Sequence, residues 1–256
     1  MIRFLAVLLA ALLTGCGGDE GGDGGSTLNA PGCSGSCSAA NPTALTVAEV
    51  NRIISQAVQE AQARGMPATI AVVDRSGNVL GVFKMTGAGG FTITSGRGVV
   101  GGLEGVSAVA PEYAAISKAI TGAYLSSEGN AFSTRTASQI VQEHFNPGVT
   151  GSPGGPLFGV QFSSLSCSDV VAPGTAGPKP SPLGLAADPG GLPLYKNGIV
   201  VGGIGVMADG VYGLDLNISD VDQNPDELIA VAGARGFDAP VNRRGDHITA
   251  DGRTFR

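Results

Sequence analysis

Asn197-Gly198 stands between two β-rich runs, Leu192–Tyr195 and Ile199–Met207, and restricts the possible fold more than any other feature of the chain. Asn and Gly accept the positive φ that a two-residue hairpin turn needs, so the flanking runs are expected to pair as neighbouring antiparallel strands. The second run carries Gly202, Gly203 and Gly205, and Gly203, Gly205 and Ala208 match the G-x-G-x-x-[GA] spacing of a dinucleotide fingerprint. That fingerprint works only where a helix starts at the glycines, so that its N-terminus meets the pyrophosphate. Here the chain continues as DGVYGLDLNISD, which is turn and strand material, and the nucleotide reading fails on context. Glycines inside a strand point instead to close passage of another backbone or of a flat ligand.

The rest of the chain supplies helices around such strands. Thr46 and Glu49 have capping-box spacing, and Val47, Val50, Ile53, Ile54, Ala57, Val58 and Ala61 share one face of a 3.6-residue repeat until Gly65 and Pro67 end it. ATIAVVDRSGNVLGVFKM then reads as a second hairpin turning at Arg75–Asn78, with Asp74 as the turn's cap rather than a catalytic base. After a Gly-rich insertion at about 86–110, Pro111 opens a helix whose packing side is Ala114, Ile116, Ala119, Ile120 and Ala123. A short helix over STRTASQIVQEHF stops before Pro147, and a long irregular insertion occupies about 145–189. Asn224-Pro225 starts a last helix that Gly236 ends, and the tail 241–256 reads as strand-like residues without a turn, as if cut short at Arg256. Helix, hairpin, helix, glycine-bearing hairpin and helix make an α+β class with a mainly antiparallel sheet.

Composition narrows the function classes. The chain has 42 glycines among 256 residues, 5% aromatics and no Trp, so a large ligand would be gripped mostly by aliphatic side chains and backbone. A formal charge of −6 without clustered Lys and Arg argues against a nucleic-acid partner. At the N-terminus, Arg3 precedes an apolar run from Phe4 to Leu13 and then LTGC, the pattern of a bacterial lipoprotein signal. The run is far short of the ~20 residues that span a bilayer. The expectation is therefore a signal over 1–15, lipidation at Cys16, a Gly/Ser-rich tether over 16–43, one domain over 44–240 and a tail over 241–256. Such a chain is exported and held to the cell envelope by lipid, at the periplasmic face of the outer membrane or the cell surface. In an oxidising compartment two of Cys33, Cys37 and Cys167 would pair, and the spacing leaves open which.

TIAVVDRSGNVLGVFKM, AISKAITGAYL, GGLPLYKNGIVVGGIGV and DELIAVAGARGF, taken together and in this order, resemble the GlcG/HbpS-like haem-binding family, which includes the C-terminal domain of PduO-type proteins. The resemblance covers about 45–240 and departs from the family in the two insertions. It implies a profilin-like α+β fold with a five-stranded antiparallel sheet flanked by helices, assembly into homo-oligomers, and haem or corrinoid binding for some members.

Haem needs an apolar slot, an axial ligand such as His, Cys, Met or Tyr, and a group to meet its propionates. His144 is the one histidine within the family-like core, and its alternative role is to complement a helix C-terminus. Tyr113, Lys118, Thr121 and Tyr124 lie on or near the helix matching the family's K-A-x-T motif. Thr121 is the family-style contact to iron, or else bonds back to a helix carbonyl. Lys118 would neutralise a propionate or other carboxylate, or else is solvated. No nucleophile elbow or zinc-protease pair occurs, so catalysis has no nominee. The expected function is non-covalent binding of haem or a related tetrapyrrole. The alternatives are a self-assembly or interaction module, or a protein that binds or converts a small organic acid.

Overall fold

The computed structural model describes residues 43–94, 103–142, 144–145, 150–160, 179–215, 223–250 and 252–255. The expected signal, the tether up to residue 42, Cys16, Cys33, Cys37 and Cys167 lie outside these residues, as do 95–102 and 161–178 within the two insertions.

Local signals build the first helix as the sequence predicts. Thr46 caps α1 (Val47–Ala63) through a reciprocal box with Glu49, satisfying backbone donors that a helix start leaves open. Val50, Ile53, Ala57 and Ala61 are its buried stripe, with Ile54 and Val58 packed partly against it. Val47 departs from the expected face: it is 79% exposed.

Strands β1 (Thr69–Asp74) and β2 (Val79–Lys84) form the first hairpin, and β4 (Gly191–Lys196) and β5 (Ile199–Met207) the glycine-bearing one. Both turns follow the sequence signals. Asp74 Oδ1 accepts from the N–H groups of Ser76 and Asn78, the capping role expected of it. Asn197 and Gly198 take φ of 51° and 77°. The hairpins join through β1 and β5 into one antiparallel sheet ordered β2-β1-β5-β4. This main sheet has four strands among the described residues, not the five that the family resemblance implies. Two short segments that would lengthen it, β3 (Thr92–Thr94) and β6 (Val211–Gly213), instead pair in parallel with each other as a separate ribbon.

The sheet is covered on both faces, as the period-two alternation of β1 requires. Ile70 and Val72 point to a core shared with α1 and with α4 (Pro225–Ala234), which Asn224 caps. Ala71 and Val73 point to the opposite core, closed by Ala115, Ala119, Ile120 and Ala123 of α2 (Pro111–Tyr124). Here the strand glycines find their reason. A Cβ at Gly205 would meet Ala119 N at 2.5 Å, and one on Gly122 of the helix would meet Leu192 C at 2.6 Å. It is another backbone, that of α2, that passes closely over the strand.

The short helix α3 (Thr134–Ile140) is shorter than the sequence suggests, ending before His144. The tail also departs from expectation. After two 3-10 turns it folds into a small hairpin, β7 (Thr249–Ala250) with β8 (Arg253–Thr254), at Gly252. Phe255 is thereby buried edge-on against Phe132 and Phe145.

Candidate functional site

Among the described residues, two places concentrate chemistry or exposed apolar surface. The first is buried beneath α2. Because this helix is pressed onto the glycine-bearing strands, its middle has no route to water, and Lys118 is 0% exposed. Its Nζ lies 2.7 Å from Asp226 Oδ2 and 2.5 Å from Asp188 Oδ2. Asp226, in the first turn of α4, is held on its other side: Oδ1 accepts from the N–H groups of Ala208 at 2.8 Å and Asp209 at 3.1 Å. Asp188 Oδ1 accepts from Gly213 N–H at 3.0 Å, whereas its Oδ2 meets the ammonium without the alignment of a hydrogen bond.

One cation thus faces two carboxylates in a dry interior, which shifts all three groups. Burial by itself would lower Lys118, but attraction to Asp188 and Asp226 outweighs it and holds the amine above its usual range. Burial, and then repulsion from Asp226, pushes Asp188 up to about 7 against the opposing pull of Lys118. Burial raises Asp226 as well, opposed by Lys118 and reinforced by Asp209. Beside this group the Tyr212 hydroxyl is buried without a hydrogen-bond partner, and burial followed by the Asp188 charge raises its pKa.

The second place is a groove of about 330 Å³ between the first turns of α1 and the edge strand β2. Leu45, Val47, Val50, Ile54, Leu80 and Phe83 give it an apolar lining, and Asn51 adds the polar edge. Among the described residues β2 has no strand on its outer side, and Phe83 is 45% exposed. At the strand's end Lys84 pairs with Glu112 at 3.3 Å, tying the first turn of α2, which carries the exposed Tyr113, to β2.

The five residues singled out from the sequence do not converge. Lys118 is enclosed with its two carboxylates and is not solvated. Thr121 Oγ1 donates to Ser117 O at 2.7 Å and accepts from Ala186 N–H at 2.6 Å. The Tyr124 hydroxyl shares its single proton between Ser76 O and Lys179 O. Tyr113 faces outward at 51% exposure. His144 stands beyond α3 with Nδ1 2.8 Å from Ser152 O, beside the Phe145 cluster rather than α2. Sequence reasoning missed Asp188 and Asp226, which look like ordinary loop and helix-start acids. It also missed the groove, although Val79, Leu80, Val82 and Phe83 break the apolar-polar alternation of a half-covered strand.

Comparison with known proteins places part of the chain. Residues 45–95 match the family described as haem degrading protein HbpS-like, so the resemblance to the HbpS-like family holds over the segment containing α1, β1, β2 and β3. No curated protein matches the chain. A crystal structure of a PduOC:heme complex is similar at 18% identity and a TM-score of 0.46, over 77% of this chain and 97% of that one. Klebsiella pneumoniae protein ORFY is similar at 19% identity and 0.43, over 75% and 90%. A double mutant of Streptomyces reticuli HbpS is similar at 19% and 0.41, over 76% and 88%.

Proposed function

We propose that this chain binds haem or a related tetrapyrrole non-covalently, with the groove between α1 and β2 as the seat of the macrocycle. The observation that carries the reading is one of location: every residue lining the groove falls between 45 and 83, inside the segment that matches the HbpS-like family. The lining suits the apolar face of a porphyrin, a flat ligand that gains by leaving water. None of the lining residues is a His, Cys, Met or Tyr, so an axial bond would have to come from outside the groove. Tyr113, exposed on the first turn of α2 that Lys84 and Glu112 tie to β2, is the donor placed for that role; His144 lies beyond α3, which packs on α2 and on β4 at the opposite sheet edge, and Lys118, Thr121 and Tyr124 already have partners in the fold.

Hemin titration of the full chain, followed at the Soret band, tests the reading. A saturable shift is expected, and Phe83→Asp should abolish it without unfolding the domain. Tyr113→Phe then shows whether that hydroxyl reaches the iron, and His144→Ala, remote from the groove, should leave the spectrum of the bound form unchanged. A response that never saturates, or one indifferent to Phe83→Asp, overturns the groove as the seat.

Export and anchoring through Cys16 belong to the same proposal and rest on the signal pattern at the N-terminus. Labelling with a fatty-acid analogue in a bacterial host should mark the wild type and not Cys16→Ser. A second reading, self-assembly, is favoured by one observation: β2 is an edge strand with Val79, Leu80, Val82 and Phe83 all exposed. Sedimentation with and without hemin separates the two readings, because a ligand in the groove competes with a strand laid against it.

A further inference from the structure

We propose that Lys118 and Asp188 react to form an intramolecular amide that staples the second insertion to α2. The case stands on placement. The amine and the carboxyl group are buried in contact, at 2.5 Å between Nζ and Oδ2, with a second carboxylate, Asp226, on the same amine at 2.7 Å. Holding reactants this way replaces an encounter with a fixed geometry, and the effective concentration can be large. Water, which would favour the separated ions, is excluded: Lys118 and Asp226 are fully buried and Asp188 is nearly so.

The two carboxyl groups have different surroundings, and these assign different roles. Asp226 is anchored by two backbone N–H groups on Oδ1 and presents Oδ2 to the amine, a geometry suited to moving protons. Asp188 is the electrophile. Its Oδ1 already receives the Gly213 N–H, the donor that an oxyanion formed on that oxygen would need. Its Oδ2, 2.5 Å from the ammonium, is the oxygen placed to receive the amine's protons and leave. Burial raises the affinity of the Asp188 carboxylate for protons, so the protons that leave the amine have an oxygen to go to.

The reaction balances without any other reagent. Asp226 takes a proton from Nζ, the costly step, because the two carboxylates hold the amine protonated, and the freed lone pair attacks Asp188 Cγ. The Nζ–Cγ bond forms while negative charge collects on Oδ1 beside Gly213 N–H. Asp226 returns its proton to Oδ2, and a second proton follows by the same route from nitrogen to oxygen. The Cγ–Oδ2 bond then breaks and Oδ2 leaves as water. Two of the three ammonium protons depart with it, one remains on the amide, Asp226 ends as it began, and nothing is oxidised or reduced.

Closure joins the residue just before the glycine-bearing hairpin to the middle of α2, across the whole of the insertion at about 145–189. Cross-links spanning long loops restrict the unfolded chain most. The inference is independent of haem binding and survives the failure of that reading.

Peptide mapping of the full chain decides it. After folding, trypsin should leave Lys118 uncut, and the peptide 98–135 should appear joined to the one carrying Asp188, lighter by one water. Chain kept in denaturant from synthesis onward should yield the ordinary cut at Lys118. Asp188→Asn should give the same link with loss of ammonia, and Asp226→Ala should remain open. If either variant fails to fold, the wild-type map still stands alone. Folded wild type with Lys118 cleaved normally and Asp188 unmodified overturns the proposal.

Discussion

At the scale of single residues, the interior of α2 turns on what each polar side chain touches. Thr121 both donates and accepts, so Thr121→Val keeps the volume but strands the Ala186 N–H, while the Ser117 carbonyl keeps its helical partner. A loss of about 1–3 kcal/mol in chemical denaturation is expected; an unchanged stability would return Thr121 to consideration as a ligand contact. Asp188 gives a pH dependence of definite sign. In the open chain its carboxyl rises from 3.8 unfolded to about 7 folded, facing Lys118, Asp226, Tyr212 and, through Asp226, Asp209. The folded state then holds more protons than the unfolded state, so this contribution is full below about 3.8 and is lost as pH rises through about 7. Thermal unfolding should therefore fall across that window in open chain. A closed amide does not titrate, and the cross-linked chain should lack the slope.

At the scale of elements, the fold depends on α2 lying close against β4 and β5, where Gly122, Gly191, Gly203 and Gly205 leave room for the opposing backbone. Gly205→Ala would place a methyl group 2.5 Å from Ala119 N, and the helix must lift to admit it. The expected cost is at least about 1–3 kcal/mol, as for overpacking elsewhere, read as a lowered denaturation midpoint. Because Lys118 sits on the same helix, the shift should also separate its amine from Asp188 and slow the closure. Arg75 caps the far end of α2, donating to the carbonyls of Ala123 and Ser126. The two hairpins and α2 are in this way fixed to one another by backbone contacts that tolerate little variation.

At the scale of the whole molecule, the described residues cover both faces of the sheet and leave its β2 margin exposed. The α2 side is sealed by the 179–190 segment and the buried ions. On the α1 side β2 stands at the sheet margin with apolar side chains in solvent, a surface that soluble chains seldom leave uncovered. Phe83→Asp should therefore raise solubility or reduce self-association even where hemin is absent, with no more than about 0.5 kcal/mol lost from the fold, since the ring is 45% exposed. A large loss of stability would mean that Phe83 serves the core instead.

The sequence by itself determined what depends on neighbours in the chain: the Thr46–Glu49 cap, the turns at Asp74 and Asn197-Gly198, the helix starts at Pro111 and Asn224, and the α+β order. Each rests on backbone conformations and hydrogen bonds that a few adjacent residues satisfy. Tertiary structure alone decided that the glycine strand faces a helix, that the main sheet has four strands among the described residues, and that the tail returns as a hairpin to bury Phe255. It alone brought Lys118, Asp188 and Asp226 together from three distant segments. The physical reason is that burial and ion pairing depend on which surfaces meet in space, and no spacing in the sequence records that meeting.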